Sequence, residues 1–533
     1  MKRSLAVILF GLLLIPSAWM AWRNREMPQF GRTHDDAIHY ITAKSLAEGH
    51  GYRIQNLPGS PYETKYPPML PWVMTLAWLK NPRFPENLQV VNAIQWAVVP
   101  VFLALAFRWF QRMGLGPAQR WAAVALLAIS PYTVLFGSSI ATEPLFGVFL
   151  LVALLGFDQI YSGAQYSPVW AALAGAACGA AYLTRTSGIV ALVAGPLAFL
   201  LWKKRREALL FAAAMLPAVA GWMLWSKFHR TATHDVILIY NTDYLAYLAL
   251  NMRLSDGSNI LWKNVGHALY SLGALALPLE LDSFFWQMIR TTAGVAAIAG
   301  IARKRADPRL WPFTMVAILT LTELLLWPAT PNLRLMYPLT PLFAAGLIWE
   351  AEHFCRNLRR SFQRPERSQR FAAWLIGSAG ATALAAAIAM PLFMDFAQLP
   401  GTVSDNERVR AENLQAYRWI ESNLNPRARI LSANPAMYLH TSRRTANVVC
   451  PEINWYREDA AASLAVFNGL PAYAAANGFG YVYMHVSDYG AITPDHAAEA
   501  RHTMETSTML HAIFHSGGGT LYQVSGPVRR AAR

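Results

Sequence analysis

The sequence predicts a polytopic α-helical membrane protein with a small C-terminal soluble α/β domain, and three observations lead there. Of 533 residues only 14% are charged while 54% are hydrophobic, with 19 Trp and 25 Phe. A soluble chain of this length carries more charge on its surface. Apolar runs recur from the start to about residue 393, and short basic clusters separate them. Beyond residue 395 the composition turns polar and strand-like segments begin. The net charge of +15 would suit a nucleic acid if it were gathered on one domain. Lys and Arg instead sit in short loops, as in loops held on the cytoplasmic side, so the expected partner is the bilayer and not nucleic acid. Cys178, Cys355 and Cys450 lie far apart in unlike surroundings and spell neither a disulfide framework nor a metal cluster.

Each span is justified by an apolar run of about 20 residues. Lys2 and Arg3 followed by the charge-free run from Leu5 to Trp22 would suit a signal peptide or a first helix. The bulky residues Trp19, Met20 and Trp22 offer no small-residue cleavage site, which favours an uncleaved helix. Ten further spans are expected at 88–108, 121–140, 143–160, 169–184, 187–202, 208–226, 283–302, 310–327, 335–351 and 371–393, eleven in all. With Lys2 and Arg3 inside, this count puts four clusters inside: Arg108/Arg112/Arg120, Lys203 to Arg206, Arg303 to Arg305, and Arg356 to Arg370. A span at 265–279 would invert the later clusters, so that segment is expected as a helix near the outer surface. Residues 1–394 then form a transmembrane catalytic domain whose first outer loop is 23–87. Residues 395–533 form an outer α/β domain with a helix over 406–424, a break at Asn425-Pro426, strands in RARILSA and YVYMHV, and a closing hairpin in SGGGTLYQVS.

Ionisable groups near a membrane are costly and mark function. This topology puts Asp35, Asp36, Glu63, Glu143, Glu280, Asp282 and Glu323 at the outer side, and leaves Asp158 at an inner helix end, solvated. An ion-coupled transporter would hold carboxylates at mid-membrane. Asp36, Tyr40, Ala43 and Ala47 recur at helical spacing, so Asp36 opens a short surface helix. There it is either a general base kept ionised by the helix dipole or an N-cap. Lys65, in Lys65-Tyr66-Pro67-Pro68, precedes a short apolar helix from Met69 to Leu79 and either meets a lipid phosphate or snorkels. Arg185 and Arg334 face outward against the general trend; they suit phosphate oxygens or pair with Glu143 or Glu323. Glu143 positions a sugar or acceptor, or caps its helix. His229, His234 and Asp235 leave room for a divalent metal but lack a convincing third ligand; no cofactor is expected otherwise.

Together these segments resemble the polyprenyl-phosphate-dependent GT-C glycosyltransferases. The closest likeness is to family 39, the protein O-mannosyltransferases and lipid A aminoarabinose transferases, over about residues 1–350. Asp36-Ala37-Ile38-His39-Tyr40 is similar to the family's Asp-Glu-x-x-Tyr, with Ala37 in place of the second acid and Asp35 on the preceding side. Lys65-Tyr66-Pro67-Pro68 is similar to its Lys-x-Pro-Pro corner, and Thr142-Glu143-Pro144, Leu183-Thr184-Arg185 and Arg334-Leu335-Met336-Tyr337-Pro338 to further family segments. The resemblance implies transfer of a sugar from a polyprenyl-phosphate-linked donor to an acceptor glycan, lipid or protein, outside a bacterial inner membrane, with inversion. Asp36 is the favoured base, with Asp35 beside it. Lys65, Arg185 and Arg334 bind the donor phosphate, and Glu143, Tyr40, Tyr66 and Tyr337 position substrate. A polyprenyl-diphosphate-dependent polymerase or ligase, and a lipid-linked sugar flippase, are the alternatives.

Overall fold

A computed structural model describes residues 3–277, 283–361 and 367–525. Glu280, Asp282 and the middle of the basic cluster Arg356 to Arg370 lie outside the described residues.

The chain begins with α1 (Arg3–Arg23), α2 (Asp35–Ala47), α3 (Met69–Lys80) and α4 (Leu88–Arg112). α1 is tied to α4 where Asn92 Nδ2 donates to the Ala21 carbonyl at 2.5 Å and Trp96 Nε1 to Ser17 Oγ at 3.3 Å. The span expected at 121–140 is two helices, α5 (Pro117–Ala128) and α6 (Pro131–Phe136). Pro131 forces the residue before it out of the helical region, and Ser130 is extended at φ −57°, ψ 128°. Then follow α7 (Glu143–Tyr161), α8 (Ser167–Thr184), a 3₁₀ turn (Thr186–Val190), α9 (Ala191–Leu201) and α10 (Arg205–Phe228). At Arg185 the chain is extended, and at Gly188 a Cβ would meet the Tyr182 backbone at 2.8 Å, so the turn closes only on glycine.

Two short helices, α11 (Val236–Thr242) and α12 (Tyr244–Asn251), lead into α13 (Asp256–Ala276). The helix expected near the surface at 265–279 is this longer one, and it is built into the bundle. Gly273 and Gly294 let α13 and α14 (Phe284–Arg303) approach closely: a Cβ on Gly294 would lie 2.9 Å from the Gly273 backbone. α15 (Trp311–Leu326), α16 (Leu333–Met336) and α17 (Thr340–Ser361) complete it. Asn264 Nδ2 of α13 donates to the Trp327 carbonyl at 2.7 Å, just past the end of α15. Among the described residues five helical segments are long and apolar enough to cross a membrane: 4–23, 88–112, 143–161, 205–228 and 308–326. Their core holds Phe102, Trp109, Phe110 and Phe313, all but sealed from solvent. Asp158, expected to be solvated, is buried in α7 and bound by Arg112.

α18 (Arg367–Asn423) has 57 residues, about 85 Å at 1.5 Å per residue. It unites the expected span 371–393 with the expected helix 406–424, all but its last residue, so position 394/395 falls inside a helix. A shift in composition records a change of surroundings, and a helix can continue through it. Beyond α18 a five-stranded sheet has the order β2-β1-β3-β5-β4, from β1 (Arg429–Ser432), β2 (Arg444–Ala446), β3 (Tyr481–His485), β4 (Leu510–Ser516) and β5 (Gly519–Val524). β1 runs parallel to β2 and β3, and β5 pairs antiparallel with β3 and β4. The helices α19 (Met437–Thr441), α20 (Ile453–Tyr456), α21 (Ala460–Asn468), α22 (Leu470–Ala476) and α23 (Pro494–Thr506) connect the strands.

The sheet shares a core with the first loop. Ile38, Ile54 and Leu57 pack with Leu431, Val482 and Met484. Thr445 N–H donates to the Asn56 carbonyl at 2.8 Å, Arg444 reaches the Gln55 carbonyl and Ser60, and Tyr473 OH donates to Asp235 at 2.6 Å.

Candidate active site

A cavity of about 260 Å³ opens where the first loop, the start of α7, the end of α8, the end of α15 and α16 converge. Asp35, Lys65, Tyr66, Arg185, Glu323 and Arg334 line it, among others.

The two adjacent aspartates face opposite ways. Asp35 is 29% exposed, accepts the Tyr66 hydroxyl at 2.5 Å and one Arg334 guanidinium nitrogen at 3.4 Å, and lies 3.7 Å from His34 Nδ1. Burial works against its ionisation, but His34, Arg334 and Lys65 outweigh it and hold the carboxyl far below its ordinary range. Asp36 is 5% exposed and does not line the cavity; its two oxygens take the main-chain N–H groups of Gly31 at 2.9 Å and Ala37 at 2.7 Å. Burial pushes its carboxyl up to about 6 against those two bonds. Gly31 is required there, since it has φ +87° and a Cβ would collide with Asn434. Of the two functions the sequence left open for Asp36, the geometry is that of a loop tie.

Lys65 is held by rings. Its Nζ lies 3.5 Å from the centroid of Tyr240, 4.7 Å from Tyr244 and 4.9 Å from Tyr66, and it makes no ion pair among the described residues. Burial lowers its pKa to about 8. Glu63 forms the corner beneath it, accepting the main-chain N–H groups of Lys65 at 2.6 Å and Tyr66 at 2.9 Å. Burial raises Glu63 to about 7.

Glu143, fully buried, is the common anchor of both arginines. Its Oε1 accepts Arg185 Nη1 at 2.5 Å and Arg334 Nε at 2.6 Å. Glu143 therefore acts on the cavity through the two guanidiniums it aims there. Two tyrosines expected beside substrate lie elsewhere. Tyr40 stacks on Trp78 at 4.8 Å in the α2–α3 core, and Tyr337 donates to or accepts from Thr133 at 2.9 Å and packs on Phe102 and Phe136 in the bundle. Helical spacing and motif position gave no means of telling such core aromatics from cavity ones.

Sequence reasoning missed His39, Tyr240 and Tyr244 at the site. His39 is one turn from Asp35, its ring 4.9 Å from Tyr66, and burial drops it to about 4, so the imidazole is neutral. The i, i+4 relation to Asp35 was the signal available for it. Among the described residues no group of three His, Cys, Asp or Glu side chains is placed to hold a metal. His229 stacks on Trp225 at 3.8 Å, and Asp235 caps α11 through Ile237 N–H.

No protein-family model matches the chain, and no curated protein matches it. Its fold is nevertheless similar to solved structures. ArnT from Cupriavidus metallidurans, bound to undecaprenyl phosphate, superposes with a TM-score of 0.51 at 12% identity over 99% of each chain. The oligosaccharyltransferase of Archaeoglobus fulgidus, tethered to an acceptor peptide, superposes with a TM-score of 0.50 at 11% identity over 98% of this chain and 74% of its own. The chain is a multi-pass membrane protein of the GT-C fold with a C-terminal α/β sheet.

Proposed function

We propose that this chain is an inverting glycosyltransferase of the family 39 kind, moving a sugar from a polyprenyl-phosphate donor to an acceptor at the outer face of a bacterial inner membrane. The cavity and residues 395–533 would both lie on that outer side. The observation that carries the reading is one cavity, in this fold, where a carboxylate held ionised (Asp35) meets an ammonium with no ion-pair partner among the described residues (Lys65) and two guanidiniums on a shared anchor (Arg185, Arg334).

Asp35, not Asp36, is the proposed base. A bound phosphate would draw on the charge of Arg334 and Lys65, and the basicity of Asp35 would rise as substrate fills the cavity. Asp35 takes the proton of the acceptor hydroxyl as that oxygen bonds to the anomeric carbon. The bond from that carbon to the phosphate oxygen breaks on the opposite face, and its electron pair leaves with polyprenyl phosphate. Lys65, Arg185 and Arg334 stabilise the charge gathering on the leaving phosphate. The bilayer and the cavity together hold donor and acceptor in reach.

The test is mass spectrometry of polyprenyl-phosphate lipids in cells lacking the protein and complemented with wild type or Asp35→Asn. One polyprenyl-phosphate sugar should accumulate in the deletion and the variant and fall with wild type. Unchanged lipid profiles with folded variant would remove the donor assignment and favour a flippase; accumulation of a diphosphate-linked oligosaccharide would favour a polymerase or ligase.

A further inference from the structure

A second cavity, of about 610 Å³, lies between α13 and the α20–α21 segment of the C-terminal region, lined by Lys263, His267, Trp455, Glu458, Asp459 and Ser463 among others. Trp455 belongs to α20, whose other three residues are buried. Tyr456 OH donates to Asn264 Oδ1 at 2.7 Å, and Ile453 and Tyr456 pack with Ile260 of α13. Trp455 is thus a large ring 47% exposed on a rigid anchor, with Lys263 Nζ 4.8 Å and the His267 ring 5.3 Å from its centroid. A pre-ordered aromatic loses little freedom on binding, as a recognition platform requires.

The polar groups around the ring define the ligand. Lys263 is paired with Glu458 at 2.8 Å, so this cavity makes no strong demand for an anion, unlike the one around Lys65. Asn454, Ser463 and Thr493 add amide and hydroxyl groups, and Asp459 a carboxylate. A neutral molecule with many hydroxyls and an apolar C–H face matches this set, its C–H groups meeting the electron-rich ring face. We propose that the cavity binds a saccharide, as an outer subsite for a glycan acceptor. The path inward supports this: Glu452, three residues before Trp455, lines a small cavity with Tyr244, and Tyr244 also lines the Asp35 cavity. The acceptor assignment rests on the proposed transferase reading; saccharide binding itself does not.

The test uses the full chain in lipid nanodiscs and, as probe, the oligosaccharide fraction released from the envelope of cells lacking the protein. Isothermal titration should show binding by wild type, at least a tenfold loss in Trp455→Ala, a smaller loss in Trp455→Phe, and no change in Asp35→Asn. Undecaprenyl phosphate binding, measured in parallel, should be equal in wild type and Trp455→Ala, which shows that the variant is folded. Equal oligosaccharide affinity in wild type and Trp455→Ala overturns the subsite, as does wild type that binds undecaprenyl phosphate but no oligosaccharide. Exchange of Trp455→Ala between lipid and detergent phases as the sole altered property would make Trp455 a membrane-interface anchor and overturn it as well. If wild type transfers no sugar, the transferase reading fails while the subsite stands or falls on Trp455→Ala alone.

Discussion

Two clusters of ionisable side chains use nearly the same residue types and are finished differently. In the sheet, His485 is buried with both ring nitrogens engaged: Ser487 N–H donates to Nδ1 at 3.1 Å, which leaves the Nε2 proton for Glu412 at 2.8 Å. Glu412 also takes Gly518 N–H and Arg408, and the His485 N–H goes to Asp488. The cluster fastens α18 to the β4–β5 turn, where a Cβ on Gly517 would lie 2.6 Å from Glu412. Around Asp35, by contrast, His39 Nδ1 and Glu323 Oε2 meet no hydrogen-bond partner among the described residues, and Lys65 is surrounded by rings. Buried polar groups are normally satisfied. A closed set of bonds stabilises the fold, and an incomplete one beside a cavity is left for a ligand to complete.

The largest effect expected to sharpen this contrast separates neighbours. Asp35→Asn should lower the transfer rate by about 10²–10⁴-fold, the usual worth of a positioned base, measured per folded molecule. Asp36→Asn should lower Tm, because an amide N–H₂ would confront a main-chain N–H, while the folded fraction keeps its turnover. The reverse pattern would return the base to Asp36. Next is Glu143→Gln, which loosens both guanidiniums and should cost about 10²-fold in kcat/KM. A variant that transfers normally would show that the arginines need no common anchor.

On the closed side, His485→Ala should destabilise by about 1–3 kcal/mol, since it removes the ring bonds to Glu412 and Ser487 while the main-chain bond to Asp488 stays, and leave transfer per folded molecule intact. Loss of turnover in well-folded His485→Ala would break the division between the clusters. Glu412 adds a pH sign: His485 and Gly518 hold its carboxyl below the ordinary range, so its stabilisation is present above that range and lost in acid.

The smallest effect concerns Glu63. Its carboxyl is raised from 4.5 to about 7, so its contribution favours the fold below about pH 4.5 and is lost as pH climbs through 7. Glu63→Gln should therefore gain on wild type in thermal melts between pH 5 and pH 8, by at most about 3 kcal/mol. A constant gap across that range would mean that Glu63 does not titrate in the folded loop.

Much of this was legible in the chain. Hydropathy placed α1, α4, α7, α8, α10, α14 and α15 within a few residues, and the Lys65-Tyr66-Pro67-Pro68 corner, Arg185 and Arg334 do meet at one cavity. Tyr40 and Tyr337 were misplaced because aromatics at the same spacing serve core and cavity alike. Glu143 was ambiguous because one carboxylate can position a sugar, cap a helix or hold two arginines, and only its neighbours decide.

Membrane character, helix positions and the residue types at the site follow from local properties, since the free energy of putting a segment in lipid is close to a sum over its residues. The facing of Asp35 and Asp36 is of another kind. Successive side chains turn by about 100° on a helix, so adjacent aspartates point to different surroundings, and the first loop's fit to the sheet chose which one meets the cavity. Arg334 reaches Asp35 across 299 positions of sequence, and Thr445 pairs with Asn56 across 389. Such contacts form only when separate elements pack, and they gave the site its geometry.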